Sequence, residues 1–146
     1  MPTAAKLVAA FCLALLGVFG SWAVTPHLPE STTPGSLWAI AGGAGLLAGW
    51  RSLGPDARGP LGRAISAGLR ATAIMVVIVL FIVSFIEMIQ RSLQKHYDGP
   101  VHALQSMFGL MLDNAMLLLH PDVAGLLLVG GMLAGGLVHR TARSWR

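Results

Sequence analysis

The sequence predicts an all-α fold: a polytopic membrane protein with four transmembrane helices plus an amphipathic helix on the outer leaflet. Three observations lead there. Of 146 residues, 55% are hydrophobic and 11% charged, with a mean hydropathy of +0.71, whereas a soluble domain carries about 25% charged residues. Separate apolar runs approach the length that crosses a bilayer, and the ten Lys and Arg residues gather on alternate connections between them. Too few charges are present to coat a soluble particle, which excludes most cytosolic enzymes and disordered tails. The pI near 10.2 does not mark a nucleic-acid partner, because scattered cations form no continuous basic face.

A spanning helix needs about 20 mainly apolar residues, since lipid offers the backbone no hydrogen-bond partner. The first span is residues 7–24. Lys6 ahead of it and Gly20-Ser21 near its end also suit a cleaved signal peptide. Phe19 and Trp22 are too bulky for a cleavage site, however, and cleavage would leave an odd number of spans, so the helix is read as retained. Residues 25–34 hold three prolines and read as a loop. The second span, residues 37–50, is the shortest. Gly35 and Ser36 before it and Arg51 after it extend it into the interface, the arginine snorkelling outward. Residues 54–62 read as a glycine and proline connection.

The third span is residues 71–86, with an unbroken run of large apolar side chains over 74–82. Glu87, Arg91 and Lys95 then recur every fourth residue, Glu ahead of Arg in the favourable order, so the helix extends as a stalk to 96. Tyr97-Asp98-Gly99-Pro100 reads as a turn, Gly99 supplying a positive φ and Pro100 opening the next helix. Over residues 101–119, His102, Gln105, Ser106, Gly109 and Asp113 fall within about 100° of a helical wheel while Leu104, Met107, Phe108, Met111, Leu112 and Leu118 cover the rest. Spanning would place the last arginines outside and bury Asp113 at a cost of roughly 2.5–3.5 kcal/mol. The segment is therefore read as an interfacial helix, closed by His120-Pro121-Asp122. The last span is residues 123–139.

This layout puts Lys6, Arg51, Arg58, Arg63, Arg70, Arg140, Arg143 and Arg146 on one side and Arg91 and Lys95 on the other. By the positive-inside rule both termini are expected to be cytoplasmic. Eighteen glycines in a chain with few loops imply a packing role. Gly45 with Gly49, Gly131 with Gly135, and Gly17 with Ser21 have the small-xxx-small spacing that brings helices close in lipid. They read as packing within the bundle, with a homodimer face as the alternative. Gly42-Gly43-Ala44-Gly45 lacks the charged and hydroxyl partners of a phosphate loop.

No catalytic set emerges, so no enzyme activity is expected. Cys12, the one cysteine, permits neither a disulfide within the chain nor a thiolate cluster. Phe11 before it spoils a lipidation context, and no polar residue at helical spacing would activate it. Asp98, Asp113 and Asp122 sit in turns or beside prolines, where aspartate commonly caps a helix. His96, Asp98, His102, Asp113, His120 and Asp122 share the predicted outer face and suit zinc, copper or nickel by ligand type. Their spacing builds no ligand set on one helix turn, so no metal or other cofactor is assigned. The arginines at 51, 58, 63 and 70 could hold an oxyanion, but topology already explains them. Glu87, at the rim of the third span, is explained by its pairing with Arg91. Candidate functional side chains are thus Glu87, Arg91, Asp98, His102 and Asp113, and no series of ionisable groups runs through the spans as a proton or ion pathway would require.

Gly49-Trp50-Arg51 with Gly54-Pro55, Ser84-Phe85-Ile86-Glu87-Met88-Ile89-Gln90-Arg91-Ser92-Leu93, Tyr97-Asp98-Gly99-Pro100-Val101, Ala103-Leu104-Gln105, Leu128-Val129-Gly130-Gly131 and the Trp145-Arg146 ending together form a pattern. It resembles the TrgA family of small bacterial membrane proteins, and the likeness runs from Met1 to the end of the chain. The family is named for an association with tellurite resistance. The resemblance implies a protein of the bacterial inner membrane with several spans, and it carries over no activity, cofactor or binding residue. His139 departs from the family, which is acidic near that position.

Three classes of function follow. The first is a membrane protein contributing to tellurite tolerance, by limiting oxyanion entry or protecting membrane redox components. The second is an accessory or assembly subunit of a larger membrane complex, or a homo-oligomer, docking through glycine faces and the outer cap formed by the stalk, the turn and the interfacial helix. The third is a small channel or transporter, in which His102, Ser106 and Asp113 would line a path after oligomerisation. In each, the lipid bilayer is a partner and nucleic acid is not.

Overall fold

The computed structural model describes residues 2–27, 34–56, 58–94 and 98–144. Among them helix dominates and no strand forms. Helix α1 is Pro2–Val24, followed by a 3-10 turn Thr25–His27. Helix α2 is Pro34–Ala48; its path continues through a π turn, Gly49–Leu53, into α3, Gly54–Asp56. Helix α4 is Leu61–Leu93, α5 is Pro100–Leu118 and α6 is Pro121–Ser144. Three helical stretches are long and apolar enough to cross a membrane: Ala4–His27, Leu61–Leu93 and Pro121–Ser144.

Helices α1, α2, α4 and α6 form a ring in which neighbours in space run antiparallel: α1 packs on α2 and α6, and α4 packs on the same two. The α1–α2 seam has a four-residue period on both helices. Gly49 lies against Ala9 and Ala10, Gly45 against Leu13 and Ala14, and Gly17 against Ala41. A Cβ on any of the three would collide with backbone, 2.8 Å from the Ala14 Cα in the case of Gly45. The α4–α6 seam repeats the device. Gly135 meets Ala64 and Ile65, Gly68 meets Gly131 and Gly135, and a Cβ on Gly131 would lie 2.7 Å from the Thr72 hydroxyl. That hydroxyl donates to the Gly68 carbonyl at 2.9 Å, so the polar group buried at the seam is satisfied within its own helix. All four glycines singled out for packing, Gly45, Gly49, Gly131 and Gly135, thus lie at contacts within one chain.

Small residues line the helix seams, and most of the large apolar ones face outward. On α1 the buried positions include Ala5, Ala9 and Leu13, while Leu7, Phe11, Leu15, Phe19 and Trp22 form an exposed stripe. The arrangement recurs on α6, with Gly131, Ala134 and Gly135 inside and Leu128, Met132 and Leu133 outside. Such continuous apolar exposure suits hydrocarbon around the bundle and not water.

Several boundaries differ from expectation for identifiable reasons. Helix α4 begins ten residues before the apolar run, because Ala64, Ala67, Gly68 and Ala71 form a buried stripe, with Ala64 and Gly68 against α6, while Arg63, Ser66 and Arg70 turn outward. The second helical path does not stop at residue 50. Pro55 lacks an N–H, and in a regular α-turn its ring would crowd the Arg51 carbonyl. The turn is instead widened, with the Gly54 N–H donating to the Gly49 carbonyl, so Gly54, Pro55 and Asp56 remain helical where the sequence suggested a loop. Thr25–His27 is likewise ordered as a 3-10 turn. Gly99 has φ 177°, extended backbone and not the positive φ expected of the turn. The stalk is helical to Leu93, and its expected end at 96 lies outside the described residues.

The seams predict a sharp contrast between two glycines two residues apart. Gly45→Val forces the α1 and α2 backbones apart and should cost about 1–3 kcal/mol or more. Gly43→Ala, with nothing within 4 Å of the added methyl, should change stability by less than about 0.5 kcal/mol. Thermal unfolding of the two variants in detergent checks the difference.

Candidate functional site

The structure sorts the charges by end. Lys6 packs over Gly54, Arg63 reaches over Gly59, and α6 passes its contact with Ala64 before presenting Arg140 and Arg143. Arg51 and Arg58 lie exposed at the same end. Asp56 is the one carboxylate there among the described residues. It pairs with Arg70, whose Nε also donates to the Ser52 hydroxyl at 3.3 Å and whose Nη2 donates to the Ser52 carbonyl at 3.4 Å. This fastening ties the end of the second helical path to α4. The pair is well exposed, at 58% and 35%, so it is worth at most about 1 kcal/mol.

The opposite end carries Glu87, Arg91, Asp98, His102, Asp113 and Asp122. Arg91 Nη2 donates to Glu87 Oε1 at 3.0 Å, one turn apart on α4. Asp98 is exposed in the bend before α5, His102 in its first turn, and Asp113 on its outer side. These side chains are not brought to one point. Among the described residues no group of three or more His, Cys, Asp or Glu side chains could hold a metal ion.

Helix α5 folds back along α4 and has three faces. Met107 and Leu110 are buried against the bundle. The polar stripe of His102, Gln105, Ser106, Gly109 and Asp113 lies to one side. A third face, made of Val101, Leu104, Phe108, Leu112, Met116 and Leu119, is 54–76% exposed. With His102 and Asp113 exposed, the polar stripe lies on the surface of the single bundle, where association with further copies would be needed to enclose it.

Two contacts that sequence reasoning did not single out hold this end together. Asn114 Nδ2 donates to Ser84 Oγ at 3.4 Å, linking α5 to α4 at a point where Ser84 is fully buried. The signal was present in the pattern: Asn114 falls between Met107 and Leu110 on the wheel, a polar residue on an apolar face. The second contact stacks the His27 and His120 rings, 4.4 Å apart and 28° from parallel. It joins the end of α1 to the α5–α6 turn, and no local sequence spacing could reveal it.

Between the ring of helices and α5 lies a half-open cavity of about 70 Å³. Gly20, Ala41, Val79, Val83, Leu117 and Leu127 contribute to its walls. No family model, curated protein or solved structure matches the chain.

Loss of the α5 anchor should be local. Asn114→Ala removes one hydrogen bond between helices, worth about 0.6 kcal/mol in such settings, so α5 amides should exchange roughly threefold faster while those of the α1–α2 seam are unchanged. Hydrogen exchange by mass spectrometry reads both segments at once.

Proposed function

We propose that this chain is a four-span protein of the bacterial inner membrane, both termini cytoplasmic, that contributes to tellurite tolerance as a TrgA-like protein. It works as a compact packing element, not as an enzyme or a pump. The observation that carries the reading is the partition of charge in a bundle whose large apolar side chains face outward. Lys6, Arg51, Arg58, Arg63, Arg70, Arg140 and Arg143 share one end, and Glu87, Asp98, Asp113 and Asp122 the other. Residues 71–86 and 123–138 contain no Asp, Glu, Lys, Arg or His between those ends.

The fourth span is the path from residue 34 to 56. At 15 residues α2 alone is too short, but with the π turn and α3 it reaches roughly 34 Å at 1.5 Å per residue, enough for about 30 Å of hydrocarbon. Trp22 and Trp38, 66% and 39% exposed, then mark the outer boundary, and Trp50 the inner one. In this orientation α5 rests on the outer leaflet, its exposed apolar face toward acyl chains and its polar stripe toward water. The link to tellurite rests on the resemblance of the quoted motifs.

A second reading, an accessory subunit of a larger membrane complex, is favoured by the same apolar face of α5, which would equally suit a partner helix. Purification in mild detergent separates the two: recovery of defined partner proteins supports the accessory role, and a lone chain opposes it.

Topology and phenotype are tested independently. A reporter active only outside the cytoplasmic membrane should be active when fused after Asp98 and silent after Arg143. The reverse result overturns the orientation. Deleting the gene should lower survival on tellurite and re-expression restore it, and unchanged survival removes the tellurite reading while leaving the membrane topology standing.

A further inference from the structure

We infer that the cavity between α5 and the helix ring is a binding site for a short segment of a single hydrocarbon chain entering from its open side, supplied by the acyl group of a membrane lipid or the isoprenoid tail of a quinone. Its walls come from five helices and are almost wholly apolar. The polar side chains lining it are Ser21 and Asn114, and both are engaged. Ser21 Oγ donates to the Gly17 carbonyl at 2.8 Å, and Asn114 Nδ2 is directed to Ser84. A buried water needs two to four polar partners, which this lining does not offer. Leaving the space empty forfeits dispersion contacts along every wall.

The apolar lining and its depth in the proposed orientation point to hydrocarbon. The space exists because Gly20 and Ala41 face Val79, Val83 and Leu127 with little side-chain volume, and a Cβ on Gly20 would sit at an ordinary 3.4 Å from Leu127 Cδ2. The lining residues Ser21 and Leu37 adjoin Trp22 and Trp38 in sequence, so in the proposed orientation the cavity opens at the depth where outer-leaflet chains begin. Lipid supplies chains there at high local concentration. Helix α5 then acts as the wall that separates a held chain from the bulk leaflet.

The inference rests on the membrane reading, and one experiment tests the two separately. The full chain is reconstituted into vesicles of phosphatidylglycerol and phosphatidylethanolamine that carry either an acyl-chain diazirine phosphatidylethanolamine or a diazirine isoprenoid quinone. After photolysis, adducts are mapped by mass spectrometry. Adducts on Leu117 and Leu127, within the cavity, are expected, and the probe that gives them identifies the source of the chain. Val79→Phe or Val83→Phe should fill the space and lower those adducts at least tenfold, while Val77→Phe, on the exposed side of α4, should leave them unchanged. Labelling of exposed Phe81 and Phe108 without any in the cavity overturns the binding site. Absence of labelling everywhere overturns the membrane reading itself. The wild-type map decides between these outcomes even where a filling variant fails to fold.

Discussion

Where Gly45 and Gly49 meet Leu13 and Ala9, and where Gly135 meets Ala64, pairs of helix backbones approach more closely than any side chain larger than hydrogen would allow. Lipid gives no hydrophobic drive to bring helices together, so dense contact between backbones has to supply the attraction. Placing the smallest residues at the seams forces the large apolar ones, such as Phe11, Phe19 and Leu133, onto the outer surface. The same constraint therefore shapes the interior and dictates the surrounding solvent.

Much of this was legible in the sequence, for definite reasons. The long apolar runs of α1, α4 and α6 announce themselves because hydrocarbon-facing helices tolerate large side chains on most of their circumference. The small-xxx-small pairs are visible because close approach has one steric solution. Helix ends were harder to read. Residues 61–70 contain two arginines and look like a connection until one sees that Ala64 and Gly68 lie against α6 and that Ala67 is buried beside them. Gly54-Pro55-Asp56 has the composition of a loop, and a widened turn accommodates it as helix. Long-range pairings left the least trace: His27 and His120 are 93 positions apart, and only the antiparallel course of the ring brings their rings together.

The charged groups are confined to the rims, and the arrangement of the polar ties is mechanical. Arg70 fastens the second helical path to α4 at one end, while Asn114 and Ser84 fasten α5 to α4 at the other. Between these ties α5 presents water-compatible, lipid-compatible and bundle-compatible faces in turn. In the proposed orientation Asp113 and His102 would set the depth and roll of α5.

The separation of charge also makes the bundle an electrical object. In the proposed orientation its arginine end lies on the side that an energised bacterium holds negative. Moving one elementary charge across such a membrane is worth about 2.3 kcal/mol per 100 mV. Carrying Arg140 and Arg143 to the far side would have to oppose that field in addition to desolvation, so the cell's own voltage holds the fold the right way round.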